Sequence, residues 1–64
     1  MNPHDIISEL SKAGYTQTDI AKEFKITNMA IHHVIYGRST SARIKNRIAE
    51  IIKRNVGEIW INDN

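Results

Sequence analysis

Gln17–Tyr36, QTDIAKEFKITNMAIHHVIY, decides the reading of this chain. It reads as two short helices joined by a tight turn. Thr16, just before it, is placed as an N-cap, and Asp19 sits three residues on, where a capping box has its acid, a position more often filled by Glu or Gln. Ile20, Ala21 and Phe24 share the inward face of the first of these helices. Lys25 occupies the turn, and Ile26 is expected to plug the gap between the helices. Thr27 caps the second helix, which should end near Tyr36 with Gly37 as its stop. Ile31, Val34 and Ile35 then point to the core, which leaves Asn28, Met29, His32, His33 and Tyr36 on the opposite, exposed face.

Outward from this segment the pattern stays helical. Upstream, a helix over about Pro3 to Ala13 is capped by Asn2, has Pro3 at its first position, and carries Asp5 and Glu9 early and Lys12 late, as the helix dipole favours. Its apolar stripe is Ile6, Ile7, Leu10 and Ala13, and Gly14 stops it. Downstream, the loop Gly37-Arg38-Ser39-Thr40 leads into a helix over about Ser41 to Arg54. Ile44, Ile48, Ile51 and Ile52 recur there at helical spacing, and Glu50 and Arg54 are spaced as an i, i+4 pair. In the tail, VGEIWINDN, one short turn is expected. Ile59 and Trp60 should pack back on the first and fourth helices, and Asn62 to Asn64 should fray. The fold class is therefore all-α, a compact four- to five-helix single domain.

Sixty-four residues allow one domain. A chain of about 60 residues buries only about 60% of the surface its unfolded form exposes, which leaves little room for an elaborate cleft. Without cysteine there is neither a disulfide nor a thiolate metal site, which fits the cytoplasm. The first ten residues, MNPHDIISEL, show neither a basic leader nor an apolar run of membrane-spanning length. The net charge of +2 hides a segregation. Residues 1–23 set Asp5, Glu9, Asp19 and Glu23 against Lys12 and Lys22, a net of −2. Residues 24–49 carry Lys25, Arg38, Arg43, Lys45 and Arg47 and no acid, a net of +5, and residues 50–64 net −1. A polyanion would be drawn to the middle segment. The scattered carboxylates form no acid/base pair, and neither a Ser-His-Asp arrangement nor a Gly-rich phosphate loop occurs, so the expectation is a binding protein and not an enzyme.

Residues 17–36 resemble the helix-turn-helix of lambda-repressor-like regulators, which has Gln first, Ala fifth, and apolar residues at positions eight, ten, fifteen and eighteen. Here these are Gln17, Ala21, Phe24, Ile26, Ile31 and Val34. The run YGRSTSARIKNRIAEIIKRNVGEIW resembles the end of the Ner family of small phage regulators, in which a basic loop and fourth helix lead to an E-x-I-W-P ending. Two positions depart from that pattern. Lys25 stands where Gly is common and where φ is usually positive, and Ile61 stands where Pro often follows the Trp.

The resemblance implies a sequence-specific duplex DNA-binding regulator, a repressor by operator occupancy, in a phage or prophage setting. It places Thr27, Asn28, Met29, His32, His33 and Tyr36 on the side that faces the major groove. Asn28 is the best base reader, since its amide can pair with adenine in two hydrogen bonds, and Met29 is suited to a thymine methyl. Gln17 would touch phosphate and brace Asn28, with Thr18 beside it at a helix N-terminus. Arg38, Ser39 and Thr40 read as backbone clamps in the loop, and Arg43 shares a helix face with Arg47 that could extend the contact. Lys45 and Arg47 are otherwise read as solvated.

Bland readings stand beside these. Met29 would be core in another register, and Tyr36 would simply cap the core. Adjacent His32 and His33 point about 100° apart and make a poor chelate, so no metal or other cofactor is expected. A rival reading is a protein-interaction module, anti-repressor or antitoxin-like, with Met29, Tyr36 and Ile35 as an apolar patch. A homodimer would have to form through the fourth helix, through the tail, or only on DNA, with Trp60 and Ile61 as candidate contacts.

Overall fold

Local signals place each helix. In the computed structural model, which describes residues 1–60, α1 (Pro3–Lys12) opens on Asn2, whose Oδ1 accepts from the Asp5 N–H at 2.9 Å. α2 (Gln17–Phe24) opens on a complete capping box. The Thr16 hydroxyl accepts from the Asp19 N–H at 3.1 Å, and the Asp19 carboxylate accepts from the Thr16 N–H at 2.9 Å. Hydrogen bonding to Thr16, first from its backbone N–H and then from its hydroxyl, holds the Asp19 carboxyl below its usual range. α3 (Asn28–Ile35) opens on Thr27, which accepts from the Ala30 N–H at 3.2 Å. α4 (Ala42–Ile52) and the single turn α5 (Val56–Ile59) complete the described residues, which contain no strand.

The first four helices end alike. In each, an N–H bonds back five residues across a left-handed residue: Tyr15 to Leu10, Ile26 to Ala21, Arg38 to His33 and Arg54 to Ala49. The left-handed residues are Gly14, Lys25, Gly37 and Lys53. The glycines and Lys25 were legible as turn positions. Lys53 was not, and it ends α4 at Ile52, two residues short of the expected Arg54. Arg54 therefore lies outside the helix, and Glu50 pairs instead with Arg47, at 2.6 Å. At the other ends the differences are one residue, with Ala13 and Tyr36 acting as C-caps.

The core draws on every element: Ile6 and Leu10, Ile20 and Ala21, Ile31, Val34 and Ile35, Ile44, Ile48, Ala49 and Ile52, and finally Ile59 and Trp60. Ile7, Phe24 and Ile51 pack at its margin, while Ala13 is exposed. Each buried isoleucine is worth roughly 1.5–3 kcal/mol of transfer free energy. Ile26 departs from expectation: it is 37% exposed. Ile20, Ala21 and Ile31 already fill the seam between α2 and α3, and the left-handed turn at Lys25 leaves Ile26 at the surface.

The tail packs inward against α4, as expected, and gains a further anchor on α3. Trp60 donates its Nε1–H to the Val34 carbonyl of α3 at 3.1 Å, deep in the core. Lys45, expected to be solvated, is only 4% exposed, and its ammonium lies 5.3 Å from the centre of the Trp60 ring. A lysine can bury its stem in this way while its charge faces an aromatic ring. Trp60 is 8% exposed within one chain. The expectations for Ile61 and for fraying at Asn62 to Asn64 lie outside the described residues.

Candidate nucleic-acid interface

The exposed side of α3 carries the side chains that the sequence placed there. Asn28 and Met29 occupy its first two positions, both exposed, with Met29 at 59%. His32 and His33 are half-buried and Tyr36 is exposed. His32 stacks on Tyr36 one turn later, with ring centres 4.2 Å apart and planes 29° apart. The two imidazoles diverge, 6.4 Å apart at 58°, and no cluster of three metal-binding side chains occurs among the described residues. Because Ile31, Val34 and Ile35 fix the other side of α3 in the core, this face is held in orientation by packing and not by the loop. The same burial takes Ile35 out of the apolar patch that the protein-interaction reading needed. Met29 is not core.

Asn28 is not a loose side chain. Its Nδ2 donates to the Thr18 hydroxyl at 2.8 Å, across the turn from the second residue of α2. The family pattern assigns this brace to Gln17; here Thr18 makes it, and Gln17 lies half-buried at the first position of α2. Nothing in the sequence singled out that exchange, since Thr18 and Gln17 adjoin and both carry polar groups.

Past α3, Arg38 is exposed, while its backbone N–H is committed to His33 at 2.8 Å. Ser39 is half-buried and Thr40 exposed in the loop before α4, and Ser41 caps α4 without a side-chain hydrogen bond. Arg43 is exposed, its guanidinium 5.4 Å from the centre of the Phe24 ring, which sets it beside the end of α2. Lys25 is exposed in the turn itself.

Arg47 has a different place from the one expected. It is half-buried and engaged by carboxylates of its own chain, not aimed with Arg43 at an outside anion. Its Nε and Nη2 take the Glu23 carboxylate at 2.9 and 3.1 Å, its Nη1 takes Glu50 at 2.6 Å, and Nη2 reaches the Tyr15 hydroxyl at 3.3 Å. The bidentate fork holds the Glu23 carboxyl below its ordinary range, and Glu23 and Glu50 together raise the guanidinium further. The acid-free middle segment thus presents fewer cations than it contains. Lys45 is under Trp60 and Arg47 is neutralised from α2 and from its own helix, which leaves Lys25, Arg38 and Arg43 exposed.

A capped helix pair with one helix pinned to the core and its polar face outward defines a helix-turn-helix domain. The chain matches the winged helix-turn-helix DNA-binding family over residues 1–62 and belongs to that family. No curated protein and no solved structure matches it. A wing is ordinarily a strand pair, and none follows α3 among the described residues, where the short loop of residues 37–41 leads directly into α4. No described helix is long and apolar enough to cross a membrane.

Proposed function

We propose that this chain is a sequence-specific regulator of transcription, of the Ner-like, lambda-repressor-like kind carried by phages and prophages, acting at DNA in a bacterial cell. It represses by occupying an operator so that polymerase cannot start, and it works by binding, without turnover. The observation that carries this reading is the exposed α3 face, with Asn28 and Met29 at its first turn and Arg38 and Arg43 flanking it. Such a face suits entry of the first turn of α3 into a major groove, with the flanking cations on phosphates. The test is Asn28→Ala. Binding should weaken by roughly 1–3 kcal/mol at one base position and stay unchanged at the others. An unaltered base preference would overturn this docking of α3.

Two copies on DNA would set their α3 helices in successive major grooves, about ten base pairs apart. With Trp60 withdrawn into the core, we propose that pairing occurs on the operator and not in solution. Sedimentation at micromolar concentration should give the monomer for the free protein and two protomers per palindromic duplex. A stable free dimer would refute assembly on DNA.

A further inference from the structure

The base-edge chemistry on α3 is narrow. Its residues, Asn28–Ile35, include no Arg, Lys, Gln, Asp or Glu. The helix therefore lacks the two-pronged cation that reads guanine and the carboxylate that accepts from cytosine. Lys25 lies before α3 and Arg38 after it, outside the helix itself. What the first turn exposes is one amide, Asn28, and one thioether, Met29, with the 37%-exposed Ile26 in the turn that leads in. A turn further on, His32 and His33 are both half-buried, and His32 is stacked on Tyr36.

The amide is also oriented. The Asn28 Nδ2 carries two hydrogens and gives one to the Thr18 hydroxyl at 2.8 Å. When the hydrogen remote from Oδ1 is the one given, Oδ1 and the second N–H stay side by side. That acceptor–donor pair matches the N6 amino group and N7 of adenine. A side-chain amide with no such anchor can also turn over and present the reverse order. The Thr18 oxygen accepts from Asn28, so the hydroxyl can still donate its own hydrogen.

We propose that α3 reads an A·T core, in which Asn28, its amide set by Thr18, takes an adenine, and Met29 takes the 5-methyl group of an adjacent thymine. This rests on the reading of the chain as a sequence-specific DNA binder. Thr18 is then a positioning residue for base recognition as well as a phosphate contact.

The experiment is parallel selection of the wild type, Thr18→Val, Thr18→Ser and Met29→Ala from a random duplex pool at one moderate salt concentration, each variant first shown to melt cooperatively. The wild type should enrich a motif whose most constrained positions are an adenine beside a thymine, and Thr18→Ser should keep it. Thr18→Val should relax the adenine preference by roughly 5- to 150-fold, the range of one bidentate base contact. Uracil in place of the thymine, which removes only the methyl, should weaken the wild type and leave Met29→Ala unaffected. A G·C core in the wild-type motif overturns the A·T assignment while sequence-specific binding stands. An unchanged adenine preference in Thr18→Val overturns the role of Thr18. Enrichment of no motif by any variant overturns the DNA-reading function itself, and this inference with it.

Discussion

Lys25 and Lys53 hold left-handed backbone, at φ 56° and 58°, where glycine would be unstrained. The left-handed region costs an L-residue roughly 1–2 kcal/mol. Glycine returns part of that gain through the larger entropy of its unfolded chain, roughly 0.5–1 kcal/mol. Lys25→Gly and Lys53→Gly should therefore each stabilise the fold by several tenths to about 1 kcal/mol, a rise of a few degrees in a domain of this size. Thermal unfolding of the two variants measures it, and an unchanged or lower midpoint in both would show that the turns carry no such strain. Lys53→Gly is the cleaner case, because Lys25 adjoins the α3 face and its loss should also lower DNA affinity. That a lysine rather than a glycine closes α2 leaves the turn intact: the N–H of Ile26 still reaches Ala21 at 3.0 Å.

At the scale of elements, α2 is joined to α4 by an ionic and aromatic seam, in which Arg47 grips Glu23 and Tyr15 and Arg43 lies over Phe24. The Glu23 carboxyl is held low by the Arg47 guanidinium. Its contribution to stability is therefore complete above the ordinary carboxylate range, about pH 4, and is lost as pH falls through the lower folded value. Asp19, held low by its Thr16 contacts, acts in the same direction. Urea midpoints measured from pH 7 down to pH 2 should fall less steeply for Glu23→Gln than for the wild type, with the remaining slope partly due to Asp19. Parallel curves would mean that the seam contributes nothing to the pH dependence. This seam is also where the sequence was least legible. Caps, turns and the isoleucine spacing are local, so α1 to α3 could be placed within a residue from Asn2, Thr16, Thr27 and the glycines. The fates of Lys45 and Arg47 depend on what lies across from α4, namely Trp60, fifteen residues later, and Glu23, twenty-four residues earlier. Helical periodicity gives the side of α4 a residue is on but not its partner, and a charged residue with no visible partner reads as solvated. Ile26 failed for the opposite reason: an apolar residue in a turn reads as a plug until the seam is known to be full. The α3 face was legible because its inward side, Ile31, Val34 and Ile35, is unambiguous, whereas the Thr18–Asn28 contact joins residues ten apart across a turn and has no local signature.

For the whole molecule, the distribution of charge matters more than its total. Five cations and no acid occur between residues 24 and 49, but Lys45 is buried against Trp60 and Arg47 is engaged by two carboxylates. A polyanion thus meets Lys25, Arg38 and Arg43 beside the α3 face, while the carboxylates of Asp5 and Glu9 belong to α1. Each phosphate neutralised releases about 0.9 of a counterion, so three contacts give a slope of log affinity on log salt of roughly −2.7 per protomer, where five would give about −4.5. Arg38→Ala and Arg43→Ala should each flatten that slope by about 0.9 and weaken binding nearly uniformly across sequences. Arg47→Ala should leave the slope nearly unchanged, since its charge already belongs to Glu23 and Glu50, and should act on the melting midpoint instead. The comparison is best made on one selected duplex between 50 and 200 mM salt, with all variants verified as folded. A wild-type slope near −4.5 that Arg47→Ala flattens would mean that DNA pulls Arg47 out of its carboxylate cluster, so that the ion pair seen in the free protein is exchanged for a phosphate on binding.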